Sequence, residues 1–255
     1  MERIRALLLL IIIAFSEPMF SARSIKQRND SVAVPELEII LPKVQGEKCF
    51  LRNAPNGDAL LFADGICMSL NDSASAILAF PKGIHIDDIF WDENNNCYLS
   101  DGKTLFLYNL LTGEAIKMVK LDKSAMRFCG DSKGALFYQL HNQELYSCDY
   151  KTPGIYKRWQ FDKEIYDVKK ETDGCVVGYG NRIVIITNDD IFIPIVESPE
   201  KVNVIETTDV GSIFYGTDER LCYIDSSFNR INVVKKGVKN MLYNNNSLYV
   251  IITVH

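Results

Sequence analysis

Histidine and tryptophan are scarce, at three and two among 255 residues. His85, His141 and His255 share no place in the repeat described below, so no ring of histidines around a metal is expected. No CxxC occurs, which removes zinc ribbons and thioredoxin-like redox motifs. GxSxG, HExxH and GxxxxGK[ST] are also missing, and with them the hydrolase elbow, the zincin helix and the P-loop. No apolar run reaches the ~20 residues of a membrane-spanning helix. Positive charge is in deficit, with 28 Lys+Arg against 33 Asp+Glu and a net charge of -5. That balance argues against a dedicated nucleic-acid binder. No run sustains a 3.6-residue apolar period, so long helices are not expected. With 47% apolar and 24% charged residues, the chain is neither disordered nor fibrous in composition.

The N-terminus reads as a targeting segment. Arg3 and Arg5 precede an unbroken apolar run, Ala6 to Phe15, short enough for the core of an export leader. Small residues at Ala14 and Ser16 place cleavage after Ser16, with Ala22 as the runner-up. Residues 1–16 are thus expected to be a signal peptide, 17–34 a partly flexible leader, and 35–255 one domain. The protein is expected to be exported: periplasmic, cell-surface or secreted. Seven cysteines, at 49, 67, 97, 129, 148, 175 and 222, sit in apolar alternations, where Cys behaves as a small buried hydrophobe. Their odd number leaves at least one unpaired, and a neighbouring pair could be bridged.

Turn residues recur with a period of about 38 residues. One series is Gly57, Asn96, Gly134, Gly174, Gly211 and Asn246; a second is Gly65, Gly102, Asn142, Asn181 and Asp218. Gly and Asn supply the positive φ of tight hairpins. The intervening runs are short and rich in β-branched and aromatic residues, as in IDDIFW, CYLS, TLFLYNL and AIKMVKL within 86–121. Each repeat therefore reads as an inner, second, third and outer strand, with inner strands starting near Cys49, Ile86, Ala125, Ile165, Val202 and Lys239. Pro194, lacking an amide donor, marks IFIPIV as an edge strand. The last repeat supplies only two strands before His255. LEIIL (37–41) is expected to be its outer strand, with Ser31 to Val34 as a short third strand.

Four-stranded antiparallel units at this period predict an all-β chain, a six-bladed β-propeller whose last blade is closed by N-terminal strands. YLSDGKTLFLYNLLTGEAIK resembles repeats of the bacterial propeller superfamily with TolB-like, NHL, PQQ-like and sensor-kinase relatives. The resemblance implies fold and leaves function open. Tryptophan signatures of the PQQ type are absent, as are the Gly-His and Trp-Asp marks of WD40 repeats, since Trp91-Asp92 lies at an inner strand's turn.

Chemistry is sparse. Asp87-Asp88 and Asp92-Glu93 flank an inner strand, where paired carboxylates could hold Ca²⁺ but more simply reflect strand-end acidity. Asn29, Asn71 and Asn245 open N-glycosylation sequons. One constellation recurs in every repeat. The link from outer strand to next inner strand carries Lys43, Lys82, Lys123, Lys163, Lys201 and Lys236, which would ring one mouth of the axis and attract anions. A repeated solvated turn, screened by Asp122, Asp162 and Glu200, explains them more simply. The expected function is a non-catalytic, monomeric binding scaffold presenting a loop face to a protein, peptide or anionic glycan, with no nucleic acid and no cofactor. The alternative is a propeller hydrolase or lyase working from the axial funnel, for which no acid, base or metal set is evident.

Overall fold

The computed structural model describes residues 9–14, 36–40, 49–63, 66–70, 76–79, 86–92, 94–109, 111–120, 125–130, 135–140, 142–149, 154–171, 173–208, 211–225, 228–245 and 247–252. All regular structure among them is β. Strands β1 (Leu9–Ala14) and β2 (Glu36–Ile40) come first. The first sheet holds β3 (Cys49–Asn53), β4 (Ala59–Ala63), β5 (Ile66–Ser69) and β6 (Ala76–Ala79). The second holds β7 (Asp88–Trp91), β8 (Cys97–Ser100), β9 (Thr104–Tyr108) and β10 (Ala115–Lys120). The third holds β11 (Ala125–Gly130), β12 (Ala135–Leu140), β13 (Glu144–Asp149) and β14 (Gly154–Gln160). The fourth holds β15 (Ile165–Glu171), β16 (Gly174–Tyr179), β17 (Arg182–Thr187) and β18 (Phe192–Glu197). The fifth holds β19 (Val204–Thr207), β20 (Ile213–Gly216), β21 (Leu221–Ile224) and β22 (Arg230–Val234). Strands β23 (Val238–Asn244) and β24 (Ser247–Ile252) join β1 and β2 in a closing sheet of order β2-β1-β24-β23. Every pairing is antiparallel, and inner strands of successive sheets lie side by side. This is a β-propeller.

Local chemistry sets the strand ends. Gly57, Gly102, Gly174, Gly211 and Asn142 take the positive φ that the turn series predicts, whereas near Asn96, Asn181 and Asn246 it falls on the preceding Asn95, Gly180 and Asn245, and Asp218 does not take it. Second strands β8, β16 and β20 are buried at every position. Each sheet packs on two neighbours, so a strand inside it has no solvent face and reads as a continuous apolar run. Outer strand β18 is mostly exposed, and Pro194 sits in it with its missing donor on the unpaired side of the sheet.

The core is divided among the layers between sheets. Leu60, Cys67, Ile89 and Leu99 pack the first sheet on the second. Val176, Ile183, Ile205 and Tyr215 pack the fourth on the fifth, and Phe214, Leu221, Met241 and Val250 pack the fifth on the closing sheet. Leu51 and Leu61 meet Leu242, Tyr249 and Ile251 across the seam between the closing and first sheets. Each fully buried aliphatic side chain contributes ~1.5–3 kcal/mol. The approach is close: a Cβ on Gly216 would stand 2.5 Å from the Val238 side chain of the next inner strand.

The closing sheet departs from expectation in one strand. LEIIL is its outer strand, as the sequence suggests, since β2 spans Glu36–Ile40. The third strand is Leu9–Ala14, from the run read as a leader core. It pairs with β24 from Leu9↔Ile252 to Ala14↔Ser247 and with β2 from Leu10↔Ile40 to Ala14↔Glu36. A short apolar run fits a strand buried on both faces as well as it fits a leader, so pattern alone does not separate the two. Ser31 to Val34 and the expected cleavage sites lie outside the described residues.

Candidate functional site

Polar residues of the inner strands are used between sheets. Asp167 Oδ1 accepts the Val168 amide at 2.8 Å, and its Oδ2 accepts the Ile205 amide of the next sheet, also at 2.8 Å. At the matching place in the closing sheet, Asn240 Oδ1 accepts the Leu51 amide at 3.0 Å. Asp88, again at that place, accepts from its neighbour Ile89 at 2.7 Å and from Arg52 Nε of the preceding sheet at 2.8 Å. Lys169 Nζ pairs with Glu206 Oε2 at 2.7 Å across the fourth and fifth sheets. Burial pushes the Glu206 carboxyl above its ordinary range, and Lys169 only partly offsets this. Sequence reading missed this set, whose trace in the sequence is shared by Asp92, two places after Phe90. Asp88, Asp167 and Asn240 each follow an apolar residue by two places, in alternate repeats.

The acidic pairs considered for Ca²⁺ separate into different jobs. Asp88 is engaged with Arg52, and the Asp87 amide donates to Ser100 O at 2.7 Å. Asp92 caps the β7–β8 turn: its carboxylate accepts from the Asn94 and Asn96 amides, the Asn96 side chain and the Tyr98 hydroxyl. Burial works to raise its pKa, but these hydrogen bonds outweigh it and hold the carboxyl below the usual range. Among the described residues no three His, Cys, Asp or Glu side chains gather as a metal site. Glu93 and all three histidines lie outside them.

The lysine-bearing links are described for three repeats. Lys163 is half-buried, and its Nζ donates to Asn181 Oδ1 at 2.7 Å. Lys201 is exposed, with its ammonium 4.2 Å from the centroid of the Tyr166 ring in the preceding inner strand. Lys236 is exposed. All three links run from outer to next inner strand and so belong to one face of the propeller. Lys43, Lys82 and Lys123 lie outside the described residues. Glu200, expected to screen Lys201, is instead paired with Arg220 and accepts from the Thr217 hydroxyl at 2.7 Å.

On the opposite face, where inner strands turn into second strands, the described residues form two neighbouring clefts. One, of about 640 Å³, lies between the fourth and fifth sheets, with Val176, Ile185 and Ile213 in its wall and Glu171, Asp173 and Thr207 among its polar lining. The other, of about 180 Å³, lies between the third and fourth sheets beside Trp159 and Cys175. Gly174, Lys170 and Thr187 border both. Gly174 has φ +151, and a Cβ there would come 1.9 Å from Ile186 O, so the ridge between the clefts is bare backbone.

Comparison with known proteins agrees on the fold. No family model matches the chain, and no curated protein does. The Neurospora crassa Pan2 WD40 domain is similar in structure, with a TM-score of 0.59 at 9% identity over 83% of this chain and 76% of that one. The Myceliophteria thermophila Cps50 (Swd1) β-propeller domain matches with a TM-score of 0.51 at 13% identity over 62% of this chain. The chain spans 59% of the length of that domain. The likeness is to β-propellers as a class. It does not reach the TolB-like, NHL or PQQ-like group that the repeat sequence resembles. A WD40 domain is a neighbour although the Gly-His and Trp-Asp marks are missing, because four-stranded blade geometry does not require them.

Proposed function

We propose that the chain is a non-catalytic, protein-binding scaffold, a ring of six blades whose loop faces hold a partner. The six-blade count is supported by six four-stranded sheets and by the β23–β3 contact at the seam. The observation that carries the functional reading is the use of Arg52, Asp88, Asp167, Lys169, Glu206 and Asn240 to bond inner strands to one another. An axial enzyme would need such groups converging on a substrate. Here they stiffen the ring, and rigid scaffolds carry function on their loops. The lysine-bearing links are proposed as a contact zone for an acidic partner segment. Export is proposed on the order of Arg3, Arg5 and the apolar run, and removal of that run would vacate the β1 place.

The test is partner capture on the immobilised full chain, followed by identification of cross-linked lysines. Lys201→Glu with Lys236→Glu should lose the captured protein, while Phe192→Ser on the outer edge should keep it through this zone. Equal capture by the parent and every face variant would overturn the reading.

A further inference from the structure

The cleft between the fourth and fifth sheets continues outward in a way its lining does not reveal by itself. Val176, Ile185 and Ile193 stand opposite one another across β16, β17 and β18. Residues directly opposed in antiparallel strands share one face of a sheet. Val176 and Ile185 wall the cleft, so Ile193 extends that apolar row to the rim, where it is 41% exposed. On the other face, Cys175, Ile186 and Phe192 form the matching row, which runs from the smaller cleft to a Phe192 that is 43% exposed. Ile191, at the turn into β18, is 58% exposed. An apolar track that begins in a cleft and ends in an exposed large side chain, Ile193 on this face as Phe192 does on the other, is what interaction sites present and isolated surface hydrophobes do not.

The charge at the inner end of this track is acidic. Glu171 and Asp173 line the cleft mouth and make no ion pair among the described residues. Lys170 borders the same mouth, but two carboxylates outnumber it. On the far side, Lys157 is engaged, its Nζ donating to Asn188 O and Asp190 Oδ1 at 3.0 Å each, and the Trp159 indole also donates to Asp190.

We propose that this track docks an extended segment of a partner protein in which aliphatic side chains are followed by lysine or arginine. The aliphatic groups lie along Ile185 and Ile193, outward of the buried Val176, and the cation meets Glu171 and Asp173. The proposal deepens the protein-binding reading above and depends on it.

Three dye-labelled peptides test it by fluorescence anisotropy on the full chain: one with two leucines followed by two lysines, one with serines for the leucines, and one with glutamates for the lysines. The leucine–lysine peptide should bind most tightly. Glu171→Lys with Asp173→Lys should weaken it at least about tenfold and turn the preference toward the leucine–glutamate peptide. Ile193→Ser should weaken it roughly fivefold. Both substitutions are at exposed or half-buried positions, and unchanged melting curves confirm that the ring is intact. Equal affinity for all three peptides, or no saturable binding of the leucine–lysine peptide, overturns the proposal. Capture that is lost in the Lys201→Glu/Lys236→Glu variant, together with no saturable binding of the leucine–lysine peptide, would remove this groove while leaving the scaffold reading in place.

Discussion

Asn240 Oδ1 receives the amide hydrogen of Leu51 at 3.0 Å, from a residue 189 positions earlier in the chain. The bond crosses the seam between the closing and first sheets. Asn244 and Asn53 add to it, the first donating to Gly57 O at 2.9 Å and the second to Tyr243 O at 3.4 Å. Asp167 makes the same link to Ile205 one repeat on, 38 residues apart. Long-range closure and local blade-to-blade packing thus use one device, a short polar side chain at a fixed place in the inner strand.

Removing that device should leave buried donors unpaired. Asn240→Ala orphans the Leu51 amide, at a cost of about 1–3 kcal/mol. Asp167→Ala orphans the Ile205 amide and also frees the Val168 amide, so it should cost more. Chemical denaturation of both variants checks the order. A seam variant as stable as the parent would mean that water or a shifted side chain replaces Asn240.

Two carboxylates should give opposite pH signatures. Glu206 has a folded pKa raised by burial, with Asp167 adding to the rise and Lys169 opposing it. The folded state therefore keeps a proton that the unfolded chain has released. Its stabilisation is full below the unfolded value and is lost as pH rises through the folded one. Asp92 is depressed by its hydrogen bonds, so its contribution is present above the unfolded Asp value and is lost as pH falls through the folded one. Unfolding free energies across pH 3–8 should show Glu206→Gln flattening the loss toward higher pH and Asp92→Asn flattening the acid limb. The reverse assignment would overturn both.

Thiol reactivity should follow burial. Cys67, Cys97 and Cys222 are buried free thiols, Cys175 is buried and Cys49 is half-buried. Burial pushes both Cys67 and Cys97 up to about 12, the nearby Cys67 adding to the effect on Cys97. Native protein at pH 8 should therefore react slowly at these two sites. Unreduced denatured protein should yield at least five reactive thiols. A count of one would mean three disulfides and a different arrangement of sheets.

Much of the propeller was legible because its determinants are local and repeated. Gly57, Gly102 and Asn142 announce turns through backbone chemistry that few other residues satisfy. Pro194 announces an edge because it cannot donate. The polar stitches were not legible as such. Asp88 and Asp92 look alike in sequence, four residues apart, yet one bonds to the preceding sheet and the other caps its own hairpin. That choice depends on which neighbour the strand faces, which sequence spacing does not encode. The docking track was equally hidden, because Val176, Ile185 and Ile193 come together only through the strand register.

The third strand of the closing sheet offers the sharpest test of the N-terminal reading. Leu9–Ala14 is paired on both sides, with Ile12 opposite Tyr249 in β24 and Glu38 in β2. In chain produced with residues 1–16 retained, Ile12→Pro removes one amide donor and distorts a strand with no free edge. The expected loss is about 1–3 kcal/mol, read as a lower melting temperature. A chain beginning at Glu17 should melt lower still and self-associate, because β24 and β2 would each present an unpaired edge. Intact mass of each sample confirms which residues are present. If Ile12→Pro and the shortened chain both melt with the parent and stay dispersed, the apolar run is a removable leader, and the edge of β24 is closed by another strand.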